Sequence, residues 1–180
     1  TVRYELSGKL SPAVTTKDAF LQIAGKHGDH ATQNIEWGGP GVAGLSIAAR
    51  KTLTTMSAEL SAEFSTFEPD QAMLDWVRAR NPAPFEPVYP DKDAKYAEVR
   101  KVNLAQLEPL VAFPDTVIEN SKPVAAAAGT RIDQAFIGSC ADGAPGDPRP
   151  PARGPRGPRG APGVRPPLPP GWQDVGAGAA

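Results

Sequence analysis

Apolar and polar residues alternate over the first seven positions of the chain. Val2, Tyr4 and Leu6 are separated by the charged residues Arg3 and Glu5. A period of two places successive side chains on opposite faces of an extended chain. The chain is therefore predicted to open with a half-buried strand.

The spacing changes to that of a helix in the segment TTKDAFLQIAGKHG. Thr16 is the expected N-cap of this helix, and Gly28 is its expected end. Apolar positions three and four residues apart define the face that would be buried. That face consists of Phe20, Ile23, Ala24 and His27.

A short strand and a long helical region are predicted next. NIEWGGPG indicates a strand with Ile35 and Trp37 on one face, followed by a plain turn. The segment VAGLSIAARKTLTTMSAELSAEFSTF is predicted to be mainly helical, with two successive groups of apolar residues at helical spacing. The first group holds Leu45, Ala48 and Ala49, and the second holds Leu53, Met56, Leu60 and Phe64.

The segment EPDQAMLDWVRARNP predicts a third helix. Asp70 is its expected N-cap, and Pro82 requires it to end earlier. Its inward face is predicted to hold Met73, Trp76 and Val77. The proline-rich residues 83–117 favour short strands and extended connections.

A last apolar run, residues 135–137, predicts a buried strand with Ser139 and Cys140 just beyond its carboxyl end. Helices alternating with short apolar strands favour an α/β layered fold. In such folds, ligands collect at the carboxyl ends of the strands. Cys140 is thus expected near a site of this kind.

Composition narrows the class of protein. The formal net charge of the 180 residues is −1, which gives no reason to expect nucleic acid or an anionic membrane as a partner. No apolar run approaches the roughly 20 residues of a membrane span. A single cysteine excludes an internal disulfide framework and fits a reducing cytoplasm. The first residue is not Met, so a fragment or processed chain is expected.

Few residues are candidates for catalysis or metal binding, and each also has an ordinary structural explanation. Cys140 is either a buried thiol, which is commoner, or a nucleophile or metal ligand. His27 and His30 in KHGDH predict a solvated loop rather than a metal site, because Gly28 interrupts the helical turn. Glu59 on its own pattern is a surface or capping carboxylate.

Taken in order, the segments resemble those of the aconitase family, and within it the 3-isopropylmalate dehydratase large subunits. TTKDAFLQIAGKHG resembles the family's T-x-K-D block, and IEWGGPGVAGLSIAARKTLTTMSAE resembles its block that ends in N-M-x-x-E. IDQAFIGSCADG resembles D-x-V-F-I-G-S-C-T-N-G-R. The order and approximate gaps of these blocks are kept over about 140 residues.

The resemblance implies roles for particular residues. Cys140 matches one of three thiolate ligands of a 4Fe–4S cluster, whose other two thiolates come from a later C-x-x-C that these 180 residues do not contain. Glu59 matches the glutamate expected to hydrogen-bond the iron-bound water or hydroxyl. Thr55, where the family usually has Asn, and Ser139 are expected to have substrate-side or structural roles.

The family also implies an architecture of three-layer α/β/α domains, here incomplete. Residues 1–17 would end a first domain, residues 18–115 would form a second, and residues 116–140 would begin a third with the cluster cysteine. Residues 141–180 contain Pro or Gly at 20 of 40 positions, which predicts disorder. This tail still follows the family in register, with prolines where relatives have leucine, so a corrupted helix is also expected.

The implied activity is the isomerisation of 2- and 3-isopropylmalate in leucine biosynthesis, by dehydration and rehydration. The expected partners are a small subunit and the hydroxy-acid substrate. Homoaconitate and a dimethylmalate are alternative substrates. Because most of the active site would lie elsewhere, the chain alone is expected to be inactive. The alternative is a non-catalytic scaffold or interaction module.

Overall fold

A computed structural model of the protein describes residues 1–134. The predicted strand at residues 135–137, Ser139, Cys140 and the tail 141–180 lie outside the described residues. The main strands and helices are β1 (Val2–Ser7), α1 (Thr16–His27), β2 (Asn34–Gly38), α2 (Ile47–Met56), β3 (Phe64–Phe67), α3 (Gln71–Arg78), β4 (Glu98–Asn103), β5 (Leu110–Ala112) and β6 (Ser121–Pro123).

Four strands form a parallel sheet in the order β3-β2-β1-β4. Tyr4 in the middle of β1 lies opposite Trp37 of β2 and Arg100 of β4. The strands β5 and β6 form a separate antiparallel pair. A parallel sheet joined through helices confirms the predicted α/β class.

The apolar face of the sheet forms the centre of the core. Val2, Tyr4 and Leu6 are fully buried, as their alternation predicts. The Tyr4 and Trp37 rings stack with centroids 5.0 Å apart, and Phe67 stacks on Trp37 at 5.9 Å. Each large side chain buried in this way contributes about 1.5–3 kcal/mol to the stability of the fold.

The first helix begins one residue earlier than predicted. Thr15, not Thr16, is the N-cap, and its backbone N–H donates to the Asp18 carboxylate at 2.7 Å. The helix ends at Gly28, which has a φ of 67°. The predicted face is confirmed at Phe20, Ile23 and Ala24, which are buried, whereas His27 is half-buried.

The predicted turn after β2 is also confirmed. Gly39 has a φ of 90°, and a short 3-10 helix follows at Pro40–Gly44. A Cβ on Gly39 would lie 2.5 Å from the carbonyl oxygen of Leu6. Glycine is required here because the turn runs directly against β1.

The long helix predicted to reach Phe64 is wrong at its carboxyl end. After α2 the chain tightens into a 3-10 helix at Ser57–Leu60, and Ser61 then takes a left-handed conformation with a φ of 61°. A left-handed residue cannot continue a right-handed helix. Phe64 therefore begins β3, where its side chain is 69% exposed.

The third helix is confirmed in place but wrong in its inward face. Asp70 caps it by accepting a hydrogen bond from the Met73 amide at 2.9 Å. Its buried residue is Leu74, while Trp76 is 36% exposed. The Arg80 guanidinium lies 4.1 Å from the centre of the Trp76 ring, so the indole is covered at the surface rather than in the core.

Two compact units divide the chain, and the first comprises residues 1–126. Of the second, residues 127–134 are described; they contain a hydrogen bond from the Thr130 amide to the Ala127 carbonyl at 3.1 Å. The predicted division into domains at residues 17, 115 and 140 stays a prediction. Over the described part of the chain, no helix is long and apolar enough to cross a bilayer.

Candidate functional site

Glu59 lies on the 3-10 helix Ser57–Leu60, which joins α2 to β3. Since β3 runs parallel to β2 and starts at Phe64, this turn lies at the amino edge of the sheet. The His30 amide donates to the Leu60 carbonyl at 2.8 Å, which places the turn against the loop that precedes β2. The Glu59 side chain is exposed, as its pattern predicts.

Thr55 is the other predicted site residue within the described part of the chain. Thr55 lies in the last turn of α2, four positions before Glu59, and is also exposed. Ser139 and Cys140 lie beyond the described residues. Thr55 and Glu59 therefore define one exposed end of the α2 region.

Ser57 anchors this turn from the inside. It is 1% exposed, and its Oγ lies 2.8 Å from the Leu53 carbonyl oxygen and 2.9 Å from Ser65 Oγ. Ser65 Oγ also accepts a hydrogen bond from Trp37 Nε1 at 2.8 Å. The sequence pattern misses this contact, because a serine among small residues in a helical segment gives no sign of being buried.

The histidine loop is not solvated as predicted. His30 is 1% exposed, and its Nδ1 lies 3.0 Å from the Gly28 carbonyl oxygen. Its Nε2 lies 2.8 Å from Tyr4 Oη and 3.0 Å from Arg100 Nη1. Because the carbonyl only accepts, Nδ1 carries the proton and Nε2 accepts. Both ring nitrogens are thus occupied by protein contacts.

Burial is the main reason that His30 is neutral. Burial lowers the pKa of His30, and the Arg100 guanidinium lowers it further. The Gly28 hydrogen bond and the carboxylates of Asp29 and Glu98 act against them and raise this pKa. Arg100 is paired with Glu98 at 2.7 Å and donates to Tyr4 Oη at 3.0 Å. Burial also raises the pKa of the Tyr4 hydroxyl. The cluster is a neutral imidazole and a neutral phenol beside one paired cation.

A second polar cluster joins the turn after β2 to α3. Arg50 is 2% exposed and donates to both carboxylate oxygens of Asp70, at 2.7 and 2.6 Å. It also donates to the carbonyls of Leu45 and Val42, at 3.2 and 3.1 Å. The hydrogen bonds from Arg50 lower the pKa of Asp70. The sequence identifies Asp70 as a cap but gives no signal for its buried partner.

The other face of the sheet carries a group centred on Arg3. Its guanidinium contacts the carboxylates of Glu5, Glu36 and Glu68, the last at 2.9 Å, while Tyr96 Oη donates to Glu36 at 2.6 Å. Burial alone would lower the pKa of Arg3, but its hydrogen bonds to the carboxylates raise it. The alternation of β1 predicts only that this face is polar. The group holds β1, β2 and the segment before β4 together.

The side chains within residues 1–134 do not form a metal centre. No group of three or more His, Cys, Asp or Glu side chains there is arranged to hold a metal ion. The chain has a single cysteine. Three thiolates are needed for the cluster that the resemblance implies, so the described residues do not fit it by themselves.

The chain is similar in sequence to one protein family. Residues 1–125 match the family model described as "Aconitase family (aconitate hydratase)". The chain is 45% identical over 143 residues to the 3-isopropylmalate dehydratase large subunit of Mycolicibacterium smegmatis, covering 79% of this chain and 34% of that protein.

Two archaeal relatives carry different names. The chain is 40% identical over 145 residues to the probable 3-isopropylmalate dehydratase large subunit of Methanothermobacter thermautotrophicus, covering 79% of the chain and 34% of the relative. It is 38% identical over 143 residues to the probable methanogen homoaconitase large subunit of Methanosarcina mazei, covering 78% and 36%. The chain thus spans about a third of the length of these relatives. It belongs to the aconitase family.

Proposed function

We propose that these residues are a segment of the large subunit of a hydro-lyase that interconverts 2- and 3-isopropylmalate in leucine biosynthesis. The match to relatives named 3-isopropylmalate dehydratase large subunit carries this proposal. The exposure of Glu59 at the matching motif supports it, since a carboxylate must be accessible to reach a substrate.

Glu59 supplies an acid–base group in this proposal. Removing water from a hydroxy acid breaks a C–O bond and an adjacent C–H bond, so it requires an acid to protonate the departing hydroxyl and a base to take the carbon-bound proton. Glu59 is the acid in this proposal, and in the reverse step its carboxylate takes a proton from the water that adds. The base for the carbon-bound proton would come from the rest of the complete protein. Glu59 is a carboxylate on a turn that is fixed on both sides, at Ser57 and Leu60. A group held in this way loses little freedom when substrate binds.

The 4Fe–4S cluster belongs, in this proposal, to the complete protein. When bound there it acts as a Lewis acid. Cys140 would supply one thiolate, and the remaining ligands would come from residues outside this sequence. The described residues do not fit a cluster by themselves.

The complete protein would act with a small subunit, as the name "large subunit" of the relatives indicates. Its site would be shared between the two chains, in the cytoplasm. The 180 residues alone would then have no turnover, because most of the site is missing. A non-catalytic scaffold is the alternative, and it predicts no turnover from the assembled protein either.

Homoaconitase activity is the second candidate, because two of the relatives are named probable methanogen homoaconitase large subunits. Thr55 is a residue at which the two activities could differ, since it is exposed four positions from Glu59. A dimethylmalate is a third substrate of the same chemical class.

The proposal is tested with the complete large subunit that carries this segment, co-purified with its small subunit. The conversion of 2-isopropylmalate, homocitrate and 2,3-dimethylmalate is followed separately by NMR. We expect kcat/KM for 2-isopropylmalate to exceed the other two by about 100-fold, the discrimination that one well-formed apolar pocket provides. A preference for homocitrate would favour the second candidate, and no turnover of any of the three would contradict the hydro-lyase.

A further inference from the structure

The turn that carries Glu59 is connected to the sheet by a chain of hydrogen bonds that is partly buried at Ser65 and fully buried at Leu53. The chain runs from Trp37 Nε1 on β2 to Ser65 Oγ on β3, then to Ser57 Oγ on the turn, and finally to the Leu53 carbonyl of α2. The three distances are 2.8, 2.9 and 2.8 Å. Ser57 is thus the link between the sheet and the segment that presents Glu59.

The two ends of this chain fix the direction of its hydrogen bonds. An indole N–H only donates, a carbonyl only accepts, and a hydroxyl has a single proton to give. The Ser65 hydroxyl therefore donates to Ser57 Oγ, and the Ser57 hydroxyl donates to the Leu53 carbonyl. With this arrangement each hydroxyl has both a donor and an acceptor as partners, which determines the orientation of the Ser57 side chain.

Backbone contacts hold the far side of the same turn. The Leu60 carbonyl accepts from the His30 amide at 2.8 Å. The Ser61 amide donates to the Ala58 carbonyl at 3.0 Å, and the Ala62 amide donates to the Ser57 carbonyl at 3.3 Å. Glu59 lies between the side-chain anchor at Ser57 and these backbone anchors.

We propose that Ser57 is a positioning residue for Glu59, acting through its hydrogen bonds to Ser65 and Leu53. This inference rests on the proposed role of Glu59. Ser57 itself is buried, so its effect on Glu59 is exerted through the turn. Removing the Ser57 hydroxyl leaves the Glu59 carboxylate unchanged but allows the turn that carries it to adopt other orientations.

The first test measures the local stability of the turn by hydrogen exchange of the full chain. Ser57→Ala and Ser65→Ala each break the hydrogen-bond chain, so either variant carries the test if the other does not fold. The matched control is Thr54→Ala, which removes a hydroxyl that bonds the Arg50 and Lys51 carbonyls within α2 at 3.3 and 3.1 Å.

We expect the Ser61 and Ala62 amides to exchange about 10-fold faster in the two serine variants, the effect of one lost buried hydrogen bond. The same amides should exchange at the parent rate in Thr54→Ala. Unchanged exchange in the serine variants, or equal acceleration in all three, would overturn the inference.

The second test is a double-mutant cycle on kcat in the complete large subunit assembled with its small subunit. We expect Ser57→Ala to lower kcat about 10-fold with KM changed less than about 2-fold, and to cause no further loss in a Glu59→Gln background. An equal loss with and without Glu59 overturns the positioning role and leaves the proposed function intact. An unchanged kcat for Glu59→Gln overturns the proposed role of Glu59, while the exchange rates still decide whether Ser57 fixes the turn.

Discussion

At the scale of single residues, the buried polar side chains are what the sequence least reveals. The partners of His30 are Tyr4 and Arg100, which lie 26 and 70 positions away in the chain. A pattern of neighbouring residues carries no signal for contacts at such separations. The interpretation of KHGDH as a solvated loop therefore fails for His30, although Asp29 in the same loop is exposed as predicted.

The neutral state of His30 predicts how stability depends on pH. Its folded pKa lies below the ordinary value of 6.5, so unfolding takes up a proton as pH falls. The contribution of His30 is complete above about pH 6.5 and is lost as pH falls from there through its folded pKa. His27 has a pKa lowered by burial and acts in the same direction.

The measurement is urea unfolding of the full chain between about pH 7.5 and pH 5.5, compared with His30→Gln. We expect the free energy of unfolding to decrease toward pH 5.5 in the parent and to decrease less in the variant. The groups that face His30 are Tyr4, Arg100, Glu98 and Asp29. Equal pH dependence in parent and variant would show that His30 is not held neutral.

At the scale of elements, boundaries follow local chemistry more closely than hydrophobic period does. Asp70 begins α3 and Gly28 ends α1, as predicted, because a capping residue acts on the backbone groups next to it. The period of apolar residues continues from Met56 to Phe64, yet Ser61 breaks the helix between them. Residues 64–67 form a strand because they pair with β2, and strand pairing joins positions that are distant in the sequence.

Asp70 should be the most sensitive capping residue among the described helices. It accepts from the Met73 amide and also balances the buried Arg50 guanidinium. Asp70→Ala removes a cap and leaves a buried charge without its partner, so we expect a loss of about 3 kcal/mol in the free energy of unfolding.

The matched control for this variant is Asp75→Ala on the same helix. Asp75 is exposed and pairs with Arg78 at 3.4 Å, a contact expected to contribute less than about 0.5 kcal/mol. Chemical denaturation of the two variants compares them directly. Losses of similar size would contradict the account of Arg50 and Asp70 as a coupled unit.

At the scale of the whole molecule, the sequence predicts the class of fold but not the arrangement of its strands. Alternating strands and helices indicate α/β, and the parallel sheet confirms it. The order β3-β2-β1-β4 depends on how each connection crosses the sheet, which residue patterns do not specify. The contacts of Arg3 with Glu36 and Glu68 follow from that order, so they too become visible only in the structure.

The candidate site is also only partly predictable from the sequence. Glu59 follows from the family resemblance, and its exposure agrees with its pattern. The anchoring of its turn by Ser57, Ser65 and Trp37 depends on β3 lying beside β2, so a pattern within one helix could not reveal it. Cys140 stays a prediction, because it lies beyond the described part of the chain.

The most direct test of the account compares Glu59→Gln with Glu63→Gln in the complete large subunit assembled with its small subunit. Both residues are exposed glutamates on the α2–β3 connection, four positions apart. We expect Glu59→Gln to lower kcat for 2-isopropylmalate by about 100-fold or more, because it removes the proposed acid–base group, and Glu63→Gln to retain the parent kcat. Equal rates for the two variants would contradict the assignment of the reaction to this turn.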